Sequence, residues 1–215
     1  MRKKADFGLY LVTDRGVCLG RPLERVVAAA VRGGVSLVQV REKSCPTRDY
    51  IETVDTIQKI LKPCGVPLII NDRVDIAVIL EADGAHVGKG DMPLFLSRQL
   101  LRDGKILGCS ATNLKEALQA EQGGADYLGV GPIFSTPSKQ DAAPPIGLKE
   151  LEEICHKVTI PVVAIGGISL KNIEKAIKAG AAGVAVISAV ANAKDMKKAT
   201  EELVDKIKKT KGSGI

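Results

Sequence analysis

The segment Gln39-Val40-Arg41-Glu42-Lys43 places an amide and two cations at alternate positions. In an extended strand Gln39, Arg41 and Lys43 share one side, while Val38, Val40 and Glu42 take the other. If the Val side packs on helices, the basic side chains converge on an interior or its rim, where burial is costly unless anions compensate them. A planar guanidinium fork beside an ammonium point charge is chemistry suited to phosphate. An internal ion pair with carboxylates of neighbouring strands would satisfy the same pattern. Both readings stand at this point.

Downstream, Asn71-Asp72-Arg73 and His86-Val87-Gly88-Lys89-Gly90-Asp91 each end an apolar run on a polar turn. Asp72 or Asp91 alone would serve as a helix N-cap. Beside a basic clamp, the two together point to magnesium. A carboxylate about 4 Å from a phosphate oxygen costs on the order of 4 kcal/mol at an effective dielectric of about 20. Two aspartates near a diphosphate therefore require a divalent cation between them. Magnesium takes one or two carboxylates and completes its shell with phosphate oxygens and waters.

The stretch from Gly131 to Gly147 carries Thr136-Pro137-Ser138-Lys139, whose hydroxyls and ammonium form a second candidate anion site on a loop long enough to be a lid. A surface loop without function would read the same. Gly166-Gly167 and Ile187-Ser188 follow later apolar runs. Glycine there lets backbone amides approach a phosphate, aided by the N-terminus of the next helix. His86 could shuttle a proton, although a lone histidine at a strand end is more often a hydrogen-bonded structural residue. His156 falls late in a helix and receives no role. With only two histidines in the chain, no nucleophile–base triad is apparent.

These residues end or follow short Val-, Ile- and Leu-rich runs at 8–13, 35–41, 67–71, 84–87, 105–110, 125–130, 161–165 and 183–187. Their weak in/out alternation is that of strands buried on both faces. Segments of helical period lie between them. The first is expected to begin at Pro22, bury Leu23, Val26, Val27, Ala30 and Val31, and stop at Gly33-Gly34. The seventh is expected to take Ser169 as N-cap, Leu170, Ile173 and Ile177 as its stripe, and Gly180 as its stop. About eight βα units within 215 residues predict an α/β fold, a single (β/α)8 TIM barrel. Residues 206–215 read as a frayed basic tail. An open doubly wound sheet is disfavoured, because no GxGxxG follows the first strand. With 3% aromatic residues and no Trp, the core is expected to come from Val, Ile, Leu and Ala.

The net charge of +6 divides into +3 from Arg2, Lys3 and Lys4 and +3 from residues 194–211, leaving the rest neutral. Without an aromatic-interleaved basic stripe, nucleic acid is not an expected partner. The five cysteines (Cys18, Cys45, Cys64, Cys109, Cys155) show no CxxC spacing, which disfavours a zinc site or disulfide framework and fits a cytoplasmic setting. No run is long enough to span a bilayer and no signal peptide is apparent, so no membrane partner is expected.

Taken in order, Leu9-Tyr10-Leu11-Val12-Thr13-Asp14, the 39–43 segment, Asn71-Asp72, the Gly88…Asp91 loop, Gly131-Pro132…Thr136-Pro137-Ser138-Lys139, Ala164-Ile165-Gly166-Gly167-Ile168 and Gly183-Val184-Ala185-Val186-Ile187-Ser188-Ala189 resemble the thiamine phosphate synthase family. The resemblance covers most of the chain. It implies a transferase acting on two small molecules, a pyrimidine diphosphate and a thiazole phosphate, with one Mg2+ per active site and no organic cofactor. Gln39, Val40, Arg41, Glu42, Lys43 and Asn71 would hold the pyrimidine diphosphate, with Ser110 and Lys139 completing its pocket. Asp72 and Asp91 would bind the metal. Thr136, Pro137, Ser138, Gly167, Ile187 and Ser188 would hold the thiazole phosphate, and Arg41, Lys43, Ser110 and Lys139 would be the catalytic set.

Three departures from the family pattern stand out: Ser138 where Thr is common, Lys89 where Gln is usual, and Ala111-Thr112-Asn113 where a histidine often follows the serine. Rival readings on the same barrel are a thiazole tautomerase, which relies on that histidine, an isomerase with an acid/base pair, and a non-catalytic sensor of thiazole phosphate. A symmetric homo-oligomer is a base-rate expectation for such enzymes.

Overall fold

The computed structural model describes residues 5–136 and 144–212. Eight parallel strands close into a barrel in sequence order: β1 (Leu9–Val12), β2 (Leu37–Val40), β3 (Leu68–Asn71), β4 (Gly84–Val87), β5 (Ile106–Ala111), β6 (Tyr127–Val130), β7 (Val162–Ile165) and β8 (Gly183–Val186). Tyr10 pairs with Leu37 on one side and with Ala185 on the other, which closes the circle. A helix follows each strand: α1 (Leu23–Arg32), α2 (Thr47–Leu61), α3 (Val74–Ile79), α4 (Leu94–Leu101), α5 (Leu114–Gln122), α6 (Gly147–Lys157), α7 (Ile173–Lys178) and the short α8 (Ser188–Ala191), with α9 (Met196–Gly212) last. This is the expected (β/α)8 TIM barrel, and every strand lies within two residues of its expected bounds. Among the described residues no helix is long and apolar enough to cross a membrane.

Strand alternation sorts the core into two layers. Leu9, Leu11, Val38, Val40, Leu68 and Ile70 face the helices, whereas Tyr10, Val12, Leu37 and Ile69 face the lumen. The lumen departs from the all-aliphatic expectation. Phe7, Tyr10 and Tyr127 occupy it, with the Phe7 and Tyr127 ring centroids 4.7 Å apart and Tyr10 edge-on to Tyr127 at 6.0 Å. Scarcity averaged over the chain does not say where the few rings go.

Those rings fit because a neighbouring lumen position is glycine. A Cβ on Gly108 would lie 2.2 Å from Tyr127 Cζ and 2.3 Å from His86 Nδ1. Gly108→Ala is therefore expected to destabilise the fold by about 1–3 kcal/mol through overpacking. A lower denaturation midpoint with an unchanged m-value would show it.

Helix α1 begins one residue after Pro22 and has no side-chain cap. Burial of Leu23 and Val27 holds it down, at roughly 1.5–3 kcal/mol for each side chain. An N-cap would have added only about 1 kcal/mol. Two helical expectations need correcting. Helix α7 starts at Ile173, not directly after Ser169, and Leu170 is exposed. The Asn172 side chain explains the delay: it accepts from Ser169 N–H at 2.8 Å and donates to Gly167 O at 2.8 Å, locking a turn before the helix can begin. The supposed frayed tail is helical through residue 212. Leu203 and Ile207, four apart, bury one stripe of α9, Lys206 pairs with Glu174 on α7, and Lys211 Nζ donates to Ala182 O. Residues 213–215, like Arg2, Lys3 and Lys4, lie outside the described residues.

Candidate active site

Arg41 and Lys43 leave the end of β2 on the lumen side, and each meets a carboxylate at the mouth. Arg41 Nη1 lies 2.5 Å from Asp14 Oδ2, and the Arg41 backbone N–H donates to Thr13 Oγ1 at 3.1 Å. Lys43 Nζ lies 2.8 Å from Asp72 Oδ2. The internal ion pairs are thus real, yet both cations still line the cavity at the mouth, and the Lys43 side chain is 51% exposed. Asp14 was not among the expected site residues, and its place directly after β1 was the available signal. Val40 and Glu42 point the other way. Val40 is buried in the helix-facing layer, its carbonyl accepting from Tyr50 Oη at 2.9 Å. Glu42 lies 3.4 Å from Arg15 Nε, and burial pushes its carboxyl up despite that cation. Neither side chain lines the cavity.

Asp72 follows β3 at φ +62°, a left-handed conformation that Asp tolerates better than most residues. Its N–H donates to His86 O at 2.8 Å, which ties the end of β3 to β4. Asp91 folds the next loop back by accepting from Gly88 N–H at 2.7 Å. The two carboxyls share a hydrogen bond. Burial alone would raise both. At Asp72 the bond from Asp91 and the Lys43 ammonium overcome burial and hold the group below the ordinary carboxylate range. At Asp91 burial and the neighbouring Asp72 act together and push it up, so of the two carboxyls Asp91 is the more readily protonated. Lys89 turns away to Glu116 at 3.6 Å and does not compete for the pair.

Two hard oxygen donors brought together at the mouth, beside the Lys43 ammonium, fit a magnesium ion. Among the described residues no group of three or more His, Cys, Asp or Glu side chains could hold a metal. The remaining positions of its shell would fall to ligand oxygens and water.

Ionising Asp91 beside Asp72 costs stability once pH rises through its raised pKa. Asparagine imitates the protonated form, with its N–H toward Asp72 and its carbonyl toward Gly88. Asp91→Asn is therefore expected to melt a few degrees above the unaltered protein at neutral pH in metal-free buffer. The gap should close as pH falls and Asp91 takes up its proton. Calorimetry at several pH values measures both effects.

Below the mouth a polar chain crosses the lumen. Gln39 Nε2 donates to Tyr10 Oη at 2.8 Å, and Tyr10 Oη lies 2.9 Å from Tyr127 Oη. Tyr127 Oη lies 2.9 Å from His86 Nδ1, whose Nε2 lies 2.9 Å from Ser110 Oγ. Burial pushes both phenols well above their ordinary range, so they stay neutral. His86 thus fits the hydrogen-bonded reading. Asn71 is buried beside this chain in a small hollow. Tyr10 and Tyr127 were not anticipated in the site.

The far wall comes from β7 and β8. Gly166 and Gly167 take φ +94° and +65°, and a Cβ on Gly167 would fall 2.6 Å from Ser135 O, so only glycine lets the loop after β6 lie this close. Ile133 and Phe134 N–H donate to Ile165 O and Gly166 O at 2.9 and 3.0 Å, pinning that loop's root. Thr136, Gly167, Ile187 and Ser188 line one cavity of about 280 Å³ with Arg41, Lys43 and Ser110. Pro137, Ser138 and Lys139 lie outside the described residues. Grooves of about 530 and 690 Å³ are wider, but they lie among helix ends at the opposite face of the barrel and gather no C-terminal strand ends.

Comparison with known proteins points the same way. The thiamine monophosphate synthase family profile matches residues 9–190. A thiamine-phosphate synthase of Chloroflexus aurantiacus is 52% identical over 198 residues, covering 92% of this chain and 91% of its own. A thiamine-phosphate synthase of Clostridium novyi is 46% identical, covering 93% and 98%. Among solved structures, thiamine phosphate pyrophosphorylase from Pyrococcus furiosus superposes with a TM-score of 0.87 at 39% identity, covering 96% of this chain and 98% of that one.

Proposed function

This chain belongs to the thiamine monophosphate synthase family, a family of transferases, and from that premise we propose that it joins 4-amino-2-methyl-5-(diphosphooxymethyl)pyrimidine to 4-methyl-5-(2-phosphoethyl)thiazole with release of diphosphate. The observation that carries this reading is the meeting of the Arg41–Lys43 clamp, the Asp72–Asp91 pair and Ser110 at one mouth.

In the proposed reaction the bond between the pyrimidine methylene and the diphosphate oxygen breaks, and its electron pair leaves with diphosphate. The pyrimidine amino group stabilises the methylene cation, and the thiazole nitrogen lone pair forms the new C–N bond. Magnesium held by Asp72 and Asp91 would supply positive charge against the departing group. Arg41 and Lys43, which line the same cavity, would meet that developing negative charge, and such fixed electrostatics are worth most in a water-poor site. Gly166, Gly167, Ile187 and Ser188 would seat the thiazole phosphate on the far wall, and Lys139 and Ser138 keep the roles the family resemblance gives them. No protein nucleophile, general base or organic cofactor is required.

The tautomerase reading loses support from residue 112. Its hydroxyl donates to Glu116 at 2.8 Å, and the strand end after Ser110 carries Ala111, Thr112 and Asn113 in place of an imidazole.

The test is direct. Purified protein, both substrates and Mg2+ are expected to yield thiamine phosphate and stoichiometric diphosphate, with product identified by mass. EDTA should stop the reaction and added Mg2+ restore it. Turnover indifferent to EDTA would remove the metal assignment, and binding of thiazole phosphate without diphosphate release would favour the sensor.

A further inference from the structure

The chain of hydrogen bonds from Gln39 to Ser110 has a direction. Gln39, Tyr10, Tyr127 and His86 are buried, whereas Ser110 is exposed to the cavity. In a buried lumen an O–H or N–H without an acceptor costs about 1–3 kcal/mol. Among the described residues the buried side-chain N and O atoms without a hydrogen-bond partner are Glu42 Oε1 and Arg98 Nε, neither of them in this chain.

An amide nitrogen can only donate, so Tyr10 Oη accepts from Gln39. If every buried proton is to find an acceptor, the Tyr10 proton then goes to the Tyr127 oxygen and the Tyr127 proton to His86 Nδ1. A neutral imidazole that accepts at Nδ1 carries its proton on Nε2, which faces Ser110 Oγ. With its oxygen accepting from below, the serine has its own proton left to give upward.

We infer that this buried chain is a polarity relay. It holds His86 in the Nε2–H tautomer and makes Ser110 an obligate donor toward an anionic oxygen at the mouth. Tyr10, Tyr127 and His86 are accordingly positioning residues, acting on the leaving group only through Ser110. The opposite sense would turn the Ser110 proton down into the ring and present lone pairs to the anion. That the anion is a diphosphate rests on the reaction proposed above; the relay's direction does not.

Nitrogen-15 NMR of the substrate-free, metal-free protein reads the tautomer, and a His156→Gln background leaves His86 as the one histidine observed. The expected pattern is Nε2 protonated and Nδ1 bare. An Nδ1–H pattern overturns the relay, whatever the protein catalyses. Tyr127→Phe deletes the donor to Nδ1. It is expected to replace the single-tautomer pattern by a mixture and to lower kcat by about ten- to a hundredfold, with KM for the thiazole phosphate unchanged. A Tyr127→Phe protein that keeps both the pattern and kcat also overturns the relay. Should that variant fail to fold, the tautomer of the unaltered enzyme still decides. The expected pattern in a protein that makes no thiamine phosphate would defeat the reaction and leave the relay intact.

Discussion

Replacing Asp72 with asparagine is expected to lower kcat/KM by about a hundred- to a thousandfold, the usual cost of removing one fixed electrostatic contact to a transition state. Asparagine is the informative choice. Like aspartate it tolerates the left-handed backbone found at φ +62°, and its amide can occupy the space between Lys43 and Asp91. What disappears is the charge. The response to Mg2+ should therefore shift to higher concentration along with the loss in rate. Asp72→Ala should lose as much activity and also fold less stably, because alanine in that conformation carries backbone strain of about 1–3 kcal/mol. Steady-state kinetics across a magnesium series, with melting curves for both variants, separate the two effects. Activity within tenfold of the unaltered enzyme at the same magnesium optimum would mean that Asp72 holds no metal.

Arg41→Ala comes second in expected size, at about 2–4 kcal/mol or roughly a thirty- to thousandfold loss in kcat/KM. Two losses combine. In the proposed reaction the guanidinium would no longer meet the diphosphate, and Asp14, which it lies against at 2.5 Å, would be left uncompensated near the incoming anion. The second loss can be relieved separately. Asp14→Asn in the Arg41→Ala background should recover about tenfold, since one carboxylate charge near a phosphate costs on the order of 1 kcal/mol or more even at high effective dielectric. Arg41→Lys should fall between, because an ammonium restores charge without the planar fork. A double-mutant cycle measures the coupling. If Arg41→Ala stays within threefold of the parent, the residue is a structural partner of Asp14 and the clamp reduces to Lys43.

Barrel strands were legible because each is a short branched run cut off by Gly, Pro or polar residues, and the 39–43 alternation was enough to separate Arg41 and Lys43 from Val40 and Glu42. What escaped was non-local. Tyr10 and Tyr127 meet across the lumen through the closure of eight strands, and their 117-residue separation leaves no pattern in either neighbourhood. Asp14 gains meaning from Arg41 only once β1 lies beside β2. The late start of α7 depends on an Asn172 side chain that prefers the turn to the helix. The basic C-terminal segment read as a tail because charge dominated its composition, while a buried stripe of Met196, Thr200, Leu203 and Ile207, with the Lys206–Glu174 pair, docks it. For the site, pairing with both cations was foreseen as a rival to phosphate binding. In the folded chain it coexists with two cations that still line the cavity.

The stacked rings of Phe7 and Tyr127, backed by Tyr10, stopper the barrel from below. Chemistry at this mouth therefore takes place on a floor and not in a through-passage, so arrivals and departures share one doorway. In the proposed reaction the phosphorylated product and the inorganic fragment would leave by the same opening that admits their precursors, so traffic at that threshold is expected to weigh on turnover.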